Sequence, residues 1–332
     1  MLRPALLRSV LPRAASFALI TCAAGAALAQ TGPTLMLKPW QEGRRFELNI
    51  DTFFEAEGNT EARAAGGGID TALQRYEVDG RLKLGDVGAL KGVAIGGFFD
   101  YMNIDSIDPV LPERLVDQRF AVGATLCQCE GWEVTAVLGV GYAGNNPFAD
   151  AEAIFGMGDV YGTYKLDERS SLQVGINYNG NRSIFPDVPL PTISFTRKID
   201  DTFLYTVGLP YSLVRWTPTE KLTIELSYIP IYTIDATIRY ELTDALAVFA
   251  AFKNRFSSYT IDQDLEHRRV FFEQRRLEAG VEIEMNTNVR VTVAGGYAFD
   301  QEFSRGFDVR DNETIAELSD EPYLRAAVEL GF

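Results

Sequence analysis

The stretch RFELNIDTFFE, residues 45–55, alternates between apolar and polar side chains with one break, at Phe53. A period of two places successive side chains on opposite faces of a β-strand. One face would carry the apolar set, and the other would carry Arg45, Glu47 and Asp51. The stretch therefore predicts a long strand with one apolar and one charged face.

The same pattern recurs along the chain, for example at 75–84, 172–178, 234–242 and 289–299. We predict about 14 such strands from the pattern. Twelve is the alternative, because the segments near Val93 and Glu152 are apolar on both faces. The segment near Phe203 also contains Pro210, and proline weakens a strand.

The connections between these segments alternate in length. Short connections are predicted at 130–131, 167–170, 217–220, 243–244 and 286–287, and long ones at 58–68, 103–114, 144–151, 181–202, 260–267 and 300–321. The connections at 85–92 and 228–232 do not fit this alternation. Outer-membrane barrels have short periplasmic turns and long outer loops. Soluble sheets also have one polar face, but their strands are mostly 5 or 6 residues long.

These patterns predict an all-β fold over residues 44–332, a closed antiparallel up-and-down transmembrane β-barrel. The aromatic residues agree with two girdles at the membrane interfaces. Trp40, Trp132 and Trp216 fall at predicted periplasmic ends. Predicted outer ends hold Tyr101, Tyr142, Tyr178, Tyr228 and Tyr297.

The N-terminus has the features of an export signal. Residues 1–29 contain Arg3, Arg8 and Arg13, no acid, a short apolar stretch and a small-residue cleavage motif ending at Ala29. A lipoprotein signal around Cys22 is the alternative. Residues 30–43 would then form a short periplasmic leader. The protein is expected in the envelope of a Gram-negative bacterium.

The last ten residues, YLRAAVELGF, alternate up to a terminal phenylalanine. This closely resembles the C-terminal signal of Gram-negative outer-membrane β-barrels, carried here by Leu324, Ala326, Val328, Leu330 and Phe332. The resemblance implies location in the outer membrane, contact with its lipid and lipopolysaccharide, and recognition by the barrel-assembly machinery and periplasmic chaperones. Residues 209–252 also resemble a family of uncharacterised bacterial barrels, which implies no activity. We expect a monomer.

Composition and motifs exclude several classes of function. A net charge of −15 argues against nucleic-acid binding, which needs basic patches. We predict no enzyme, because the single histidine, His267, has no nucleophile nearby in sequence. Cys127 and Cys129 are interpreted as small lumen-facing residues, with a labile disulfide as the alternative. The acidic connection 300–321 lacks a calcium-loop motif, so we predict no metal and no cofactor.

The polar faces of the predicted strands would line the lumen. The selected residues are Arg45, Glu47, Asp51, Arg75, Glu77, Asp79, Arg81, Lys83, Asp235, Arg239, Glu241, Arg255, Arg276, Glu278, Glu282, Arg290, Arg325 and Glu329. Two readings stay open: a porin-like passive channel for small hydrophilic solutes or ions, and a structural or adhesive barrel whose lumen is blocked by salt bridges and which acts through its loops. The first is the leading hypothesis.

Overall fold

The structure is a computed structural model that describes residues 43–62, 68–106, 111–148, 150–229, 233–261 and 269–332. The predicted signal peptide, all of the leader except Gly43, and His267 lie outside these residues. No helix in the described part of the chain has the length and apolar character needed to cross a bilayer.

The described residues form strands joined by turns, with one short 3-10 helix at Ala151–Ala153. The strands are β1 (Phe46–Glu55), β2 (Gly58–Ala62), β3 (Gly68–Val87), β4 (Leu90–Ser106), β5 (Arg114–Cys129), β6 (Trp132–Gly144), β7 (Ile154–Lys165), β8 (Ser170–Asn179), β9 (Leu190–Lys198), β10 (Phe203–Leu209), β11 (Ser212–Thr219), β12 (Leu222–Ile229), β13 (Thr233–Thr243), β14 (Leu246–Thr260), β15 (Arg269–Asn286), β16 (Val289–Gly306), β17 (Glu313–Leu318) and β18 (Glu321–Gly331).

The strands close into one antiparallel barrel of 16 positions. β1 closes the ring because it pairs with β3 on one side and with β18 on the other, where Ile50 lies opposite Val328. β2 and β17 pair with each other and continue the wall above β1 and β18. The predicted all-β barrel class is confirmed, whereas the prediction of 14 strands, or 12, is wrong.

The two missed strands lie in one region of the chain. β9 occupies part of the predicted long connection at 181–202; it has nine residues and contains Pro191. Pro210 lies between β10 and β11, so the segment assigned as one weak strand is two strands joined by a turn. Proline has no backbone N–H for the ladder and is well placed in such a turn.

Phe46 is the first residue of β1, and Gly331 is the last residue of β18. Both lie at the same end of the barrel, which we call the turn end. Its connections are all short: 88–89, 130–131, 166–169, 199–202, 220–221, 244–245 and 287–288. The misfit at 85–92 disappears because β3 and β4 extend to a two-residue turn, where Gly88 adopts a φ of 60°. The opposite end, the loop end, carries the longer connections.

The outer face of the barrel is apolar. Leu138, Val207 and Leu324 are 60–68% exposed there, as expected of side chains that contact lipid. Trp132 and Trp216 lie on exposed positions close to the turn end. Tyr142, in contrast, is only 2% exposed, so its predicted place in an outer girdle is wrong. The ring of Phe148, on the loop that follows β6, covers it.

The barrel wall is uneven in height. β10, β11 and β12 have 7 or 8 residues, whereas β3 has 20 and β15 and β16 have 18. A transmembrane strand usually has about 9–11 residues. The wall is therefore low on one side at the loop end, and tall strands rise on the other side.

Candidate functional site

The predicted lumen residues occupy alternate positions on the inward face of the wall. The register places Asp51 opposite Glu77 and Glu47 opposite Arg81, with neighbouring pairs on the same face. Arg75, Glu77 and Arg81 are at most 8% exposed, although they are charged. Arg45 lies just before β1 at the turn end and is exposed. The interior near mid-height is thus densely packed with charged groups.

Glu278 is the centre of a charged cluster in the lumen. Its side chain has no exposed surface, and its carboxylate accepts hydrogen bonds from Lys253, Arg325 and Tyr323. The Lys253 Nζ–Oε1 distance is 2.7 Å and the Arg325 Nε–Oε2 distance is 2.9 Å. Arg325 also binds Asp51 at 2.7 Å. This cluster ties β14, β15, β18 and β1 together through the lumen.

Other ion pairs run along the wall rather than across it. Arg75 binds Asp100 through two hydrogen bonds of 2.6 and 2.7 Å. Arg215 binds Glu225 on the neighbouring strand at 2.7 Å. At the turn end, Arg239 binds Glu241 and Glu282, and Arg290 binds Glu284 and Glu329. Each of these acids and bases is paired within a few strands.

Several charged residues of the inward face are not in the predicted set, among them Asp100, Asp117, Arg119, Asp159 and Arg215. Asp100 and Asp159 lie on strands that look apolar on both faces, Asp117 and Arg119 lie on β5, and Arg215 lies on the strand that follows Pro210. For Asp100 and Asp159 the available signal was a single charge inside an apolar segment. Such a charge is costly on a lipid-facing position, so it has to face the lumen.

The hairpin of β14 and β15 leans across the lumen at the loop end. The backbone of Thr260, the last residue of β14, bridges to Gly144 of β6, which lies eight positions away around the barrel. The Tyr259 hydroxyl lies 3.4 Å from Asp100, and Arg255 lies 4.0 Å from Glu77. Consecutive residues 270–272 of β15 are all fully buried, so both faces of the hairpin tip are covered. We call the contact of the β14–β15 hairpin tip with the opposite wall, at Thr260 and Gly144, the pinch.

Apolar side chains fill the lumen beside the pinch. Tyr259, Phe272 and Phe303 are at most 1% exposed, and the rings of Phe272 and Phe303 are 4.6 Å apart. The full cluster comprises Leu73, Met102, Ile104, Leu111, Leu115, Ala143, Phe155, Met157, Tyr259, Val270, Phe272, Phe303 and Ala316. We call it the apolar plug. It closes this side of the barrel near the loop end.

The β8–β9 connection, residues 180–189, folds inward over the lumen, and we call it the cap. Asn181 donates to the Ser258 carbonyl at 2.9 Å and accepts from the Ser258 hydroxyl at 2.8 Å. Arg269 donates to the carbonyl of Arg182 at 2.9 Å. A second link joins the cap to the β16–β17 connection, where Val309 donates to the Ser183 carbonyl at 3.0 Å. The cap therefore bridges β8 and the tips of β14 to β16.

Asp308, in the β16–β17 connection, also helps to hold the cap in place. Asp308 is 1% exposed and accepts hydrogen bonds from Arg310, whose guanidinium stacks over Phe185 of the cap at 4.2 Å. Hydrogen bonding to Arg310 holds the pKa of this carboxyl below its usual range. Asp308 is therefore ionised at neutral pH and can hold Arg310 against the cap.

The wall from β7 to β13 keeps a polar lumen face. Gln173, Asn177, Thr196, Arg215 and Glu225 are partly exposed there and face the interior. This polar wall includes the low side of the barrel. The lumen therefore has a filled side at the plug and a polar side below the cap.

Cys127 and Cys129 do not face the lumen, contrary to the sequence interpretation. A bulge between Thr125 and Cys127 shifts the register, so Cys129 pairs with Trp132 on the outer face. Both thiols are free and exposed, with their sulfurs 3.8 Å apart. In the part of the chain that the structure describes, no group of three or more His, Cys, Asp or Glu residues is placed to hold a metal ion.

A closed antiparallel barrel with an apolar outer face and a charged interior is the architecture of outer-membrane proteins. The chain is a β-barrel of this class. The profile of a domain of unknown function, DUF6268, matches residues 192–331, which run from β9 to β18. The match includes residues 209–252, whose sequence resembles uncharacterised barrels. No curated protein matches the chain in sequence.

Several solved structures are similar to this chain. The TodX deltaS2S3 mutant monoaromatic hydrocarbon channel has 11% identity and a TM-score of 0.46, with 92% of this chain and 94% of that chain covered. The Pseudomonas putida toluene transporter TodX has 10% identity and a TM-score of 0.43, covering 92% and 95%. A Pseudomonas aeruginosa FadL homologue has 9% identity and a TM-score of 0.43, covering 93% and 96%.

Proposed function

We propose that the protein is an outer-membrane channel for small hydrophilic solutes or ions, with the turn end in the periplasm. The polar wall from β7 to β13 carries this proposal. Gln173, Asn177 and Thr196 give water and polar solutes hydrogen-bond partners along the lumen. The low wall at β10–β12 supplies an entrance beside the cap. Channel activity needs no catalytic group, in line with the prediction of a non-enzyme.

A structural barrel is the second candidate, and the apolar plug favours it. The plug and the Glu278 cluster fill one side of the lumen, as expected of a barrel that acts through its loops. Conductance separates the two candidates, because only the channel passes ions when the protein is placed in a planar bilayer.

The wild-type protein is expected to give discrete but small conductance steps in a planar lipid bilayer. The plug and the pinch remove much of the cross-section of a 16-strand barrel. The measurement is single-channel current in symmetrical salt, with protein-free bilayers as the control. A complete lack of steps, in the wild type and in a variant without the cap, would leave the structural barrel as the function.

We further propose that the C-terminal strand is the assembly signal for the barrel-assembly machinery, reached with periplasmic chaperones, and that the mature barrel is a monomer in contact with outer-membrane lipid and lipopolysaccharide. The main chain of Phe332 bonds to Phe46 in both directions, at 2.8 and 2.9 Å, and its ring lies 6.5 Å from the ring of Phe46. Phe332 thus belongs to the seam that closes the barrel.

Removal of Phe332 is expected to reduce the amount of folded protein in the outer membrane at least several-fold. The truncated seam loses its last backbone hydrogen bonds, and the proposed machinery loses its terminal aromatic residue. The measurement is the heat-dependent shift in gel mobility of outer-membrane fractions. Leu324→Ala, on the same strand and face, is the matched control. Equal loss in both variants would show that general strand stability, rather than the terminal residue, sets assembly.

A further inference from the structure

We propose that the outer face of the barrel binds the phosphoethanolamine headgroup of a phospholipid, in a groove at the turn end. The inference rests on one part of the proposed function, the placement of the turn end in the periplasm, because the periplasmic leaflet of the outer membrane consists of phospholipid. The groove is open and has a volume of about 570 Å³. Small-molecule sites usually have about 300–1,000 Å³, so a lipid headgroup fits.

The groove lies at the level of the lipid headgroups. Its walls include the outward side chains of Ser170, Arg197 and Tyr205, and it extends to the β7–β8 and β9–β10 turns. Tyr205 lies opposite Arg197, and Phe203, two residues nearer the turn end, lies opposite Trp216. Aromatic residues of outer-membrane barrels gather at the membrane interfaces. The groove is therefore at the depth of the phosphates of one leaflet.

Arg197 is the group that would bind the lipid phosphate. It shares the outward face of β9 with Ile193 and Phe195, and the other outward positions of β7 to β10, all of them described, carry no charge. Its guanidinium is exposed and has no hydrogen bond or ion pair with another described residue. A charge on the lipid-facing side is costly except near the interface, where it meets headgroups. Arginine matches a phosphate with two parallel N–H donors.

The other charged groups of the groove are mostly held by neighbours. Lys198 binds Asp201 at 2.7 Å, and Arg169 donates to a backbone carbonyl of the β9–β10 turn at 3.0 Å. The carboxylate of Asp167 accepts from the backbone N–H of Arg169 at 2.7 Å. Glu168, in contrast, is exposed and has no hydrogen bond or ion pair with a described residue. The groove therefore offers an unpaired carboxylate as well as an unpaired guanidinium.

The order of these two charges matches one headgroup. Glu168 lies in the β7–β8 turn, beyond the strand ends and farther from the membrane than Arg197. A phosphoethanolamine headgroup has its phosphate next to the glycerol and its ammonium at the free end. The phosphate then lies at Arg197, and the ammonium donates to Glu168. A phosphoglycerol headgroup has no cation for Glu168, and the methylated ammonium of phosphocholine has no N–H to donate.

The test is native mass spectrometry of the full exported protein in detergent. The protein is titrated separately with phosphatidylethanolamine, phosphatidylglycerol and phosphatidylcholine of the same acyl chains. We expect saturable binding of phosphatidylethanolamine, at least several-fold tighter than that of the other two lipids. Arg197→Gln should weaken this binding about tenfold, because a charged hydrogen bond is lost. Glu168→Gln should abolish the preference over phosphatidylglycerol without weakening the binding of phosphatidylglycerol.

Lys91→Gln is the matched control. Lys91 is an exposed cation at the turn end, in the β3–β4 hairpin, where it binds Asp86 at 2.9 Å. The control variant should bind lipid as the wild type does. Gel mobility with and without boiling verifies that each variant is folded. If Arg197→Gln does not fold, Arg197→Lys, which keeps the charge and loses the planar fork, should weaken phosphatidylethanolamine binding several-fold.

Three results would overturn the proposal. They are equal binding of the three lipids by the wild type, equal binding by Arg197→Gln and Lys91→Gln, and an unchanged preference in Glu168→Gln. Displacement of the lipid by excess inorganic phosphate would also overturn it, because the groove would then be a site for free phosphate. Mass spectrometry needs no membrane current. A conducting barrel without the lipid preference rejects the groove alone, and a lipid-binding barrel without conductance rejects the channel alone.

Discussion

Glu278→Gln is expected to lower the free energy of unfolding of the barrel by about 3–5 kcal/mol, the usual cost of removing one partner from a buried ion pair. The glutamine keeps the shape of the side chain but not its charge. Lys253 then loses its carboxylate partner, and Arg325 keeps only Asp51. Urea unfolding of the protein in lipid vesicles, followed by tryptophan fluorescence, measures the change.

Glu329→Gln is the matched control for this prediction. Glu329 also faces the lumen and binds Arg290, but its side chain is 50% exposed, so the loss should stay below about 1 kcal/mol. The double variant Lys253→Met with Glu278→Leu should recover part of the stability, because it removes both charges of a buried pair. If Glu278→Gln and Glu329→Gln have the same small effect, the Glu278 cluster does not hold the barrel together.

Replacing residues 181–188 with an Asn-Gly turn is expected to raise the single-channel conductance several-fold. The change removes most of the cap and leaves a short connection between β8 and β9 that is suited to a hairpin. The hydrogen bonds of Asn181 to Ser258 and of Arg182 to Arg269 disappear with it. The polar lumen wall below the cap is then open to the outside. Planar-bilayer currents of the variant and the wild type, recorded in the same salt, give the comparison.

Point variants test the cap without changing the length of the chain. Arg269→Gln removes hydrogen bonds to the carbonyls of Arg182 and Phe307, and it should increase the time spent in larger conductance states. Arg114→Gln is the control, because Arg114 holds a different loop through Asn145 and Asn146. An equal effect of the two variants would mean that the cap is not the cover of the lumen.

The wall of the barrel could be predicted from the sequence because the alternation within each strand shows which side chains share a face. Alternation at 75–84 places Arg75, Glu77 and Arg81 on one face without any knowledge of neighbouring strands. The strand count failed where the local signal is ambiguous. β9 is a short strand that contains Pro191, and Pro210 separates the short strands β10 and β11, so alternation is weak over this region. The bulge before Cys127 adds one residue and reverses the faces that follow, which alternation alone does not show.

The interior of the barrel was less predictable because it depends on contacts between distant residues. Asp100 and Tyr259 are 159 positions apart in the chain, and Asn181 and Ser258 are 77 apart. A period of two shows that these side chains face inward or outward, but not which opposite wall they reach. The pinch and the cap could therefore be found only in three dimensions.

Because of the bridge between Thr260 and Gly144, the number of strands in this barrel does not predict its electrical resistance. For an open cylinder, more strands mean a wider bore and a larger current. Here β14 and β6, which lie on opposite sides of the barrel, touch each other. A Cβ added at Gly144 would lie only 2.8 Å from the Thr260 carbonyl oxygen. The circumference is that of a wide pore, while in the proposed channel the area open to ions would be only the part left on one side of the contact. Current measurements interpreted with a cylindrical formula would thus assign this barrel too few strands.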